Sequence, residues 1–183
     1  METKYSVEKV MELESPEFLF FWGHTAQVGK ITKACLSQWW MCDFVVDGVL
    51  YNCAEQYMMA AKALCFGDEE CYREILLEKD PKKIKALGRK VKDYNDEVWD
   101  SYKRYVVKKA NLAKFCQNKE LKEFLLATGD AVLVEASPYD KIWGIGMSED
   151  DKDVLNPALW KGVNLLGFVL MEVRDFLKEE EML

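Results

Sequence analysis

Two segments limit the structures that this chain can adopt, because neither has the periodicity of a buried helix. They are residues 138–146 and 160–167. Together they contain two tryptophans, an aspartate, an asparagine and four glycines. Glycine lets a backbone approach a ligand closely, and a flat aromatic ring offers a surface for stacking. The two segments therefore predict a loop region that binds a nucleotide or a sugar.

The chain has the length and composition of one folded domain. Its 183 residues can bury a sizeable core, and half of them are apolar while only 4 are proline, so disorder is not expected. We treat residues 1–17 as an N-terminal extension and residues 18–183 as the domain. The formal net charge of −7 argues against general binding to a nucleic-acid backbone, although a few local cations would still hold a nucleotide substrate.

The cysteines and the single histidine limit the catalytic chemistry and the cellular compartment that can be expected. The six cysteines contain no Cys-x-x-Cys pair, the amino terminus lacks the apolar core of a signal peptide, and no apolar run approaches the length of a membrane span. We therefore expect reduced thiols in a cytoplasmic or nuclear protein without membrane association. His24 is the only histidine, which excludes a multi-histidine zinc site and argues against a Ser/His/Asp hydrolase. No metal or cofactor is expected, so proton chemistry must come from carboxylates, lysine or tyrosine.

Local patterns predict a single, mostly helical α+β domain with a small β-sheet. Apolar runs at 18–22 and 131–135 predict strands, and the Asp-Gly pair within 44–51 predicts a hairpin. Asp68, Asp80 and Asn95 are typical N-cap residues, each followed by a helical pattern. The predicted helices cover residues 53–66, 69–78, 81–88, 96–115, 121–127 and 164–178.

Glu55 is the first candidate for a catalytic group. On a helix that begins near Cys53, Glu55 and Lys62 share a face with two methionines, because seven residues make about two turns. A carboxylate and an ammonium among methionines would form a partly buried reactive pair. Spacing alone favours a simpler interpretation, in which Glu55 forms a surface salt bridge or is an N-terminal acid that interacts with the helix dipole.

The ordered set of motifs resembles the NADAR family (NAD and ADP-ribose), whose members are also called YbiA-like N-glycosidases. Each motif is unspecific alone, but their order and spacing are specific, and the resemblance extends over residues 20–177. The motifs lie at 36–39, 46–51, 54–59, 62–63, 85–89, 99, 113–115, 125–129, 138–146 and 160–167.

The resemblance implies a YbiA-like fold and a set of site residues. It implies that Glu55 is the catalytic group and that Asp140 binds the ribose or assists the acid step. Lys62 would be the partner of Glu55 or a nucleophile that forms a Schiff base with the opened sugar. The implied substrate-binding residues are Ser37, Trp39, Arg89, Trp99, Trp143, Gly144, Asn164 and Gly167.

Several of these residues also have simpler interpretations. Trp99 can belong to the core, Asp140 can form a turn, and Asn164 can be an ordinary helix cap. Arg89 follows a run of lysines that is typical of a solvated face, and only its motif makes it a candidate phosphate ligand. Asn164 and Gly167 would bind a phosphate through the backbone N–H groups at the start of the last helix.

Three positions bear on the substrate. Ile145 and Leu165 replace an acidic residue and an arginine of many bacterial relatives, which argues against a small phosphosugar substrate. The Trp143-Gly-Ile-Gly sequence, together with Gln38, resembles the branch that removes ADP-ribose from guanine.

Three functions are compatible with these patterns. The first is an N-glycosidase that releases ADP-ribose from guanine, in a nucleotide or in nucleic acid. The second is an N-glycosidase of ribosylamino-pyrimidine intermediates of the riboflavin pathway. The third is a non-catalytic module that binds ADP-ribose or an NAD-like small molecule.

Overall fold

A computed structural model describes residues 3–25, 27 and 29–181. These residues contain seven α-helices and four strands, which confirms the mostly helical α+β class. In chain order they are α1 (Val7–Met11), β1 (Phe18–Phe21), β2 (Phe44–Val46), β3 (Val49–Tyr51), α2 (Ala54–Cys65), α3 (Glu69–Leu77), α4 (Pro81–Gly88), α5 (Asp96–Gln117), α6 (Lys119–Ala127), β4 (Val132–Glu135) and α7 (Leu165–Glu181). Two 3₁₀ helices lie at Lys33–Leu36 and Pro157–Leu159.

The chain divides into two compact units. One unit consists of Met1–Ser37 and Glu120–Leu183, and the other is Gln38–Lys119. We call them the terminal unit and the central unit. The predicted strands form two separate pairs, one in each unit, and local sequence does not determine which strands pair.

The terminal unit is built on the parallel pair β1 and β4. The register places Phe18 opposite Val132 and Phe21 opposite Glu135, although more than a hundred residues separate these positions along the chain. Helix α7 packs against β4. One face of this helix is buried, and each apolar side chain buried there contributes about 1.5–3 kcal/mol. Its members Leu166, Leu170, Val173 and Leu177 are all buried.

Residues within 1–17 are attached to the terminal unit. Ser6 caps α1 by accepting a hydrogen bond from the N–H of Lys9. The hydroxyl of Tyr5 donates to Asp175 of α7 at 2.8 Å, and the Lys4 ammonium lies 2.7 Å from the same carboxylate. Helix α1 also contacts the 3₁₀ helix Pro157–Leu159. This segment therefore packs on the end of α7 and on the loop that precedes it.

In the central unit, helix α2 packs against α3, α4 and α5. The three predicted caps are confirmed: Asp68, Asp80 and Asn95 each accept a backbone N–H in the first turn of the helix that follows. The hairpin of β2 and β3 is also confirmed. Its turn residues Asp47 and Gly48 have φ values of 51° and 80°, as a type I′ turn requires.

Replacing Gly167 by alanine is predicted to destabilise the protein. Alanine normally stabilises a helix interior by about 1 kcal/mol relative to glycine. A Cβ at Gly167, however, would collide with the backbone carbonyl of Leu133, which cannot rotate away. We expect G167A to lower the free energy of unfolding by about 1–3 kcal/mol, as overpacking does, measured by urea denaturation.

Gly88→Ala is the matched control for this experiment. Its added methyl would meet only the side chain of Met59, whose flexible thioether can move. We expect a smaller loss in G88A, and an equal loss in both variants would contradict the assignment.

Candidate functional site

Glu55 lies in the first turn of α2, in the central unit. Its backbone N–H donates to the carbonyl of Gln38 at 2.9 Å. The residue is only 2% exposed, so it lies in the interior and not on the helix surface. The N-terminal end of a helix stabilises a negative charge, which offsets part of the cost of burying this carboxylate. A buried acid at a helix start is therefore the central feature of this unit.

Lys62 lies two turns further along α2 and is half-buried. Burial lowers its pKa, while the negative charges of Asp96 and Glu55 act in the opposite direction. Its Nζ lies 3.9 Å from the centroid of the Tyr94 ring, and the Tyr94 hydroxyl donates to Asp96 at 2.9 Å. Burial thus favours the neutral amine, whereas the Tyr94 ring and the two carboxylates favour the ammonium.

The other candidates of the central unit have different environments. Arg89 is exposed just beyond the end of α4, and its charge also lowers the pKa of Lys62. Trp39 is half-buried, with the Lys85 ammonium 5.7 Å from its ring centroid. Trp99 is buried in the first turn of α5, as a core residue would be. The structure thus connects Glu55, Lys62 and Arg89 electrostatically, while stacking by the tryptophans stays a prediction.

Cys53 does not compete with these groups as a nucleophile. It occupies the N-cap position of α2, two residues before Glu55, and is fully buried. Burial raises the pKa of its thiol to about 12, so the reactive thiolate is scarce at neutral pH. Among the described residues, no group of histidine, cysteine and acidic side chains could hold a metal ion.

In the terminal unit, Asp140 shapes the glycine-rich loop of residues 138–146. Its Oδ1 accepts the N–H groups of Ile142 and Trp143 at 2.9 and 2.7 Å. This is the turn-forming role considered from the sequence. Gly144 is needed because a Cβ there would lie 2.7 Å from the carbonyl of Glu135. The loop therefore packs directly on the end of β4, and Trp143 remains half-buried.

Asn164 joins β4 to the start of α7. Its side-chain Oδ1 accepts the N–H of Glu135 at 3.0 Å, and its Nδ2 donates to the carbonyl of Leu133 at 2.9 Å. Asparagine tolerates the left-handed conformation found here, with φ at 52°. The side chain of Asn164 thus has a structural role, as Gly167 has through its contact with Leu133.

The backbone at the start of α7 is also occupied. The N–H groups of Asn164, Leu165 and Leu166 donate to the carbonyls of Gly144, Ile142 and Trp143. Three of the backbone donors at this helix start are therefore committed to the loop and not to a phosphate. Substrate contacts by Asn164 and Gly167 stay predictions. Ser37 lies half-buried at the end of the first 3₁₀ helix, and its contact with a substrate also stays a prediction.

The sequence reasoning overlooked two buried polar residues of α5. Asn111 and Lys114 are both 0% exposed. They follow Val107 and Ala110 at three- and four-residue steps, so they lie on the helix face that points into the core. Polar residues inside an apolar stripe were the signal that could have identified them.

A match to a protein-family model identifies the family of this chain. The NADAR domain model matches residues 20–178, which is most of the chain. This chain belongs to the NADAR family.

Known relatives agree with that assignment. N-glycosidase R617 of Acanthamoeba polyphaga mimivirus is 41% identical over 168 residues, covering 89% of this chain and 98% of the relative. N-glycosidase YbiA of Escherichia coli is 37% identical over 136 residues, 74% of this chain and 76% of the relative. The NMR structure of E. coli YbiA covers 96% of this chain and 94% of its own, with a TM-score of 0.72 and 28% identity. The YbiA-like fold is thereby confirmed, and these relatives are named as hydrolases of N-glycosyl bonds.

Among the described residues, no helix is both long enough and apolar enough to cross a bilayer.

The lowered pKa of Lys62 predicts its reactivity toward acylating reagents. Only the neutral amine reacts, so we expect Lys62 to reach its half-maximal acylation rate at a lower pH than Lys92, whose pKa is raised by Glu70. Asp96→Asn removes a negative charge that raises the Lys62 pKa, and should move the midpoint lower still. Competitive labelling followed by peptide mass spectrometry measures both midpoints. A Lys62 midpoint at or above that of Lys92 would contradict the description.

Proposed function

We propose that this chain is an N-glycosidase that hydrolyses the bond between ADP-ribose and guanine, with Glu55 as the catalytic group. The observation that carries the proposal is the burial of the Glu55 carboxylate at the start of α2, in a family whose relatives are named N-glycosidases. A buried acid is costly to a fold, and groups of this kind are typical of active sites.

The chemistry suits a carboxylate. Cleavage of an N-glycosidic bond develops positive charge on the ribosyl carbon, and a buried anion stabilises that charge more strongly than an exposed one. The same carboxylate can accept a proton from the attacking water. In the proposal, Asp140 binds the ribose or assists the acid step, since its Oδ1 is used by the turn while Oδ2 has no hydrogen bond to the described residues.

Lys62 has two possible roles within this proposal. As an ammonium it would be an electrostatic partner of Glu55. As a neutral amine it would attack the aldehyde of a ring-opened ribose, forming a carbon–nitrogen bond and releasing water to give a Schiff base. The half-burial and the lowered pKa of Lys62 support its capacity for the second role.

Apolar residues support guanine-linked ADP-ribose over a small phosphosugar. Ile145 and Leu165 both carry apolar side chains, so neither position offers a polar side chain to a sugar phosphate. Ile145 is also fully buried, and the backbone N–H of Leu165 is used by the carbonyl of Ile142. The net charge of −7 favours a nucleotide or a single strand over long duplex DNA. We accordingly propose a cytoplasmic or nuclear protein that acts on ADP-ribosylated guanine nucleotides or nucleic acid.

A second candidate function keeps the chemistry and changes the substrate. The relatives' names specify N-glycosidase activity without a substrate, so a ribosylamino-pyrimidine phosphate is the alternative. A module that only binds ADP-ribose or NAD is the third possibility. It would bind its ligand unchanged when Glu55 is replaced.

The first test is a substrate panel with wild-type protein and Glu55→Gln. The panel contains ADP-ribosyl-guanosine, ADP-ribosylated DNA, ribosylaminouracil phosphate and NAD, with products identified by mass. We expect wild type to release ADP-ribose from the guanine substrates. E55Q should be slower by about a hundred- to ten-thousand-fold, the usual contribution of an acid–base group.

Glu70→Gln is the matched control, because Glu70 is an exposed helical glutamate paired with Lys92. It should retain full activity. Turnover of ribosylaminouracil phosphate alone would establish the alternative substrate. A fully active E55Q would refute the catalytic assignment.

Borohydride reduction tests the covalent role of Lys62. If a Schiff base forms during turnover, reduction will leave a sugar adduct on the peptide containing Lys62, detectable by mass spectrometry. Lys62→Arg keeps the charge but cannot form the adduct, and should lose both trapping and most activity. The exposed Lys92→Arg variant should trap like wild type. Absence of any Lys62 adduct during active turnover would leave only the electrostatic role.

A further inference from the structure

Two buried side-chain amides of the central unit are each only partly used. Gln38 is 7% exposed and Asn111, on α5, is 0% exposed. The Asn111 Nδ2 donates to Gln38 Oε1 at 2.8 Å and to the carbonyl of Val107 at 2.9 Å. Within the described part of the chain, Gln38 Nε2 and Asn111 Oδ1 have no hydrogen-bond partner.

The orientation of both amides follows from one backbone group. The Val107 carbonyl can only accept, so the side of Asn111 that faces it must be the Nδ2 donor. The second hydrogen of that nitrogen goes to Gln38, which must therefore present Oε1 to it. The remaining end of the Gln38 side chain is then Nε2, a donor with two hydrogens.

This donor is unusual among buried polar groups. Burying an amide N–H without a partner costs about 1–3 kcal/mol, and most buried polar atoms have at least one hydrogen bond. Here a second side chain holds the unsatisfied donor in place instead of satisfying it. Such an arrangement points to a ligand that supplies the acceptor.

The same residue also positions the candidate catalytic acid. The backbone carbonyl of Gln38 accepts the N–H of Glu55 at 2.9 Å, so one hydrogen bond links the backbone of the donor to that of the carboxylate. Gln38 therefore combines the unsatisfied side-chain donor with the backbone contact that fixes the start of α2.

We infer that Gln38 Nε2 donates a hydrogen bond to the leaving base of the N-glycoside, and that Asn111 is the positioning residue that orients it. The inference rests on the proposed N-glycosidase function. The base gains electron density as the glycosidic bond breaks, so a donor to one of its acceptor atoms stabilises the transition state more than the bound substrate. Gln38 would donate a hydrogen bond to the leaving base, while Glu55 would stabilise the cationic sugar.

Gln56 provides a matched comparison within the same unit. It too is a buried glutamine, but its side chain is fully used. Its Oε1 accepts the N–H of Asn52 at 2.8 Å, and its Nε2 donates to the carbonyls of Ile75 and Glu78, both at 2.9 Å. Gln56 therefore joins α2 to the end of α3, as a structural glutamine does.

The experiment compares Gln38→Met and Gln56→Met, since methionine preserves length and removes both polar atoms. For Q38M we expect kcat/KM to fall on the order of 10- to 100-fold, the effect of losing one buried hydrogen bond in the transition state. Most of the loss should be in kcat, and the affinity for free ADP-ribose, which lacks the base, should be unchanged. For Q56M we expect the larger loss of thermal stability, with kcat/KM per folded molecule close to wild type.

Gln38→Glu is the second variant, and it removes only the donor. A glutamate retains an oxygen that accepts from Asn111, and it cannot donate to the base when ionised. An active Q38E or Q38M would overturn the inference. A parallel loss of ADP-ribose affinity would overturn the assignment to the base, because the contact would then be to the sugar half.

Asn111→Ala tests the positioning role by a double-mutant cycle with Q38M. If Asn111 acts through Gln38, the double variant should lose little more activity than Q38M alone. Additive losses would contradict that role. If wild type cleaves only the ribosylamino-pyrimidine phosphate, the guanine proposal fails. The same cycle on that substrate, with ribose 5-phosphate as the base-free ligand, still tests Gln38.

Discussion

The hydrogen bond from the Glu55 N–H to the Gln38 carbonyl holds the start of α2 against the chain that precedes the hairpin. Because this N–H belongs to the first turn, it needs a partner outside the helix, and the carbonyl supplies it. The carboxylate on the same residue is thereby placed in the interior at a helix terminus, where the helix dipole favours its charge. The proposed chemistry of the central unit depends on this placement.

Burial alone does not separate the proposed site residues of this protein from its structural polar groups. Asn164 is buried and has both side-chain atoms bonded, to Glu135 and Leu133. Gln56 is buried and equally satisfied. Gln38 differs, because its Nε2 is held in place and left without an acceptor in the described structure. This unsatisfied donor distinguishes Gln38 from Gln56 and Asn164, and it is the observation on which its proposed contact with a ligand rests.

The loop of the terminal unit shows how a binding motif also serves the fold. The aspartate and glycines of residues 138–146 suggested ligand contact, yet Asp140 forms the turn through its Oδ1 and Gly144 allows close packing on β4. In our proposal, half-buried Trp143 and the second Asp140 oxygen are the parts of this motif that contact the substrate. The structural and functional interpretations therefore apply to different atoms of the same residues.

Local sequence determined the helices, their caps and the hairpin turn, because an N-cap such as Asp68 and a turn such as Asp47-Gly48 involve only neighbouring residues. The order of the motifs also identified the family. Tertiary structure decided the parallel pairing of β1 with β4 and the burial of Glu55, and it brought Gln38 together with Asn111. These outcomes depend on contacts between residues far apart in the chain, and local propensity carries no information about such distant partners.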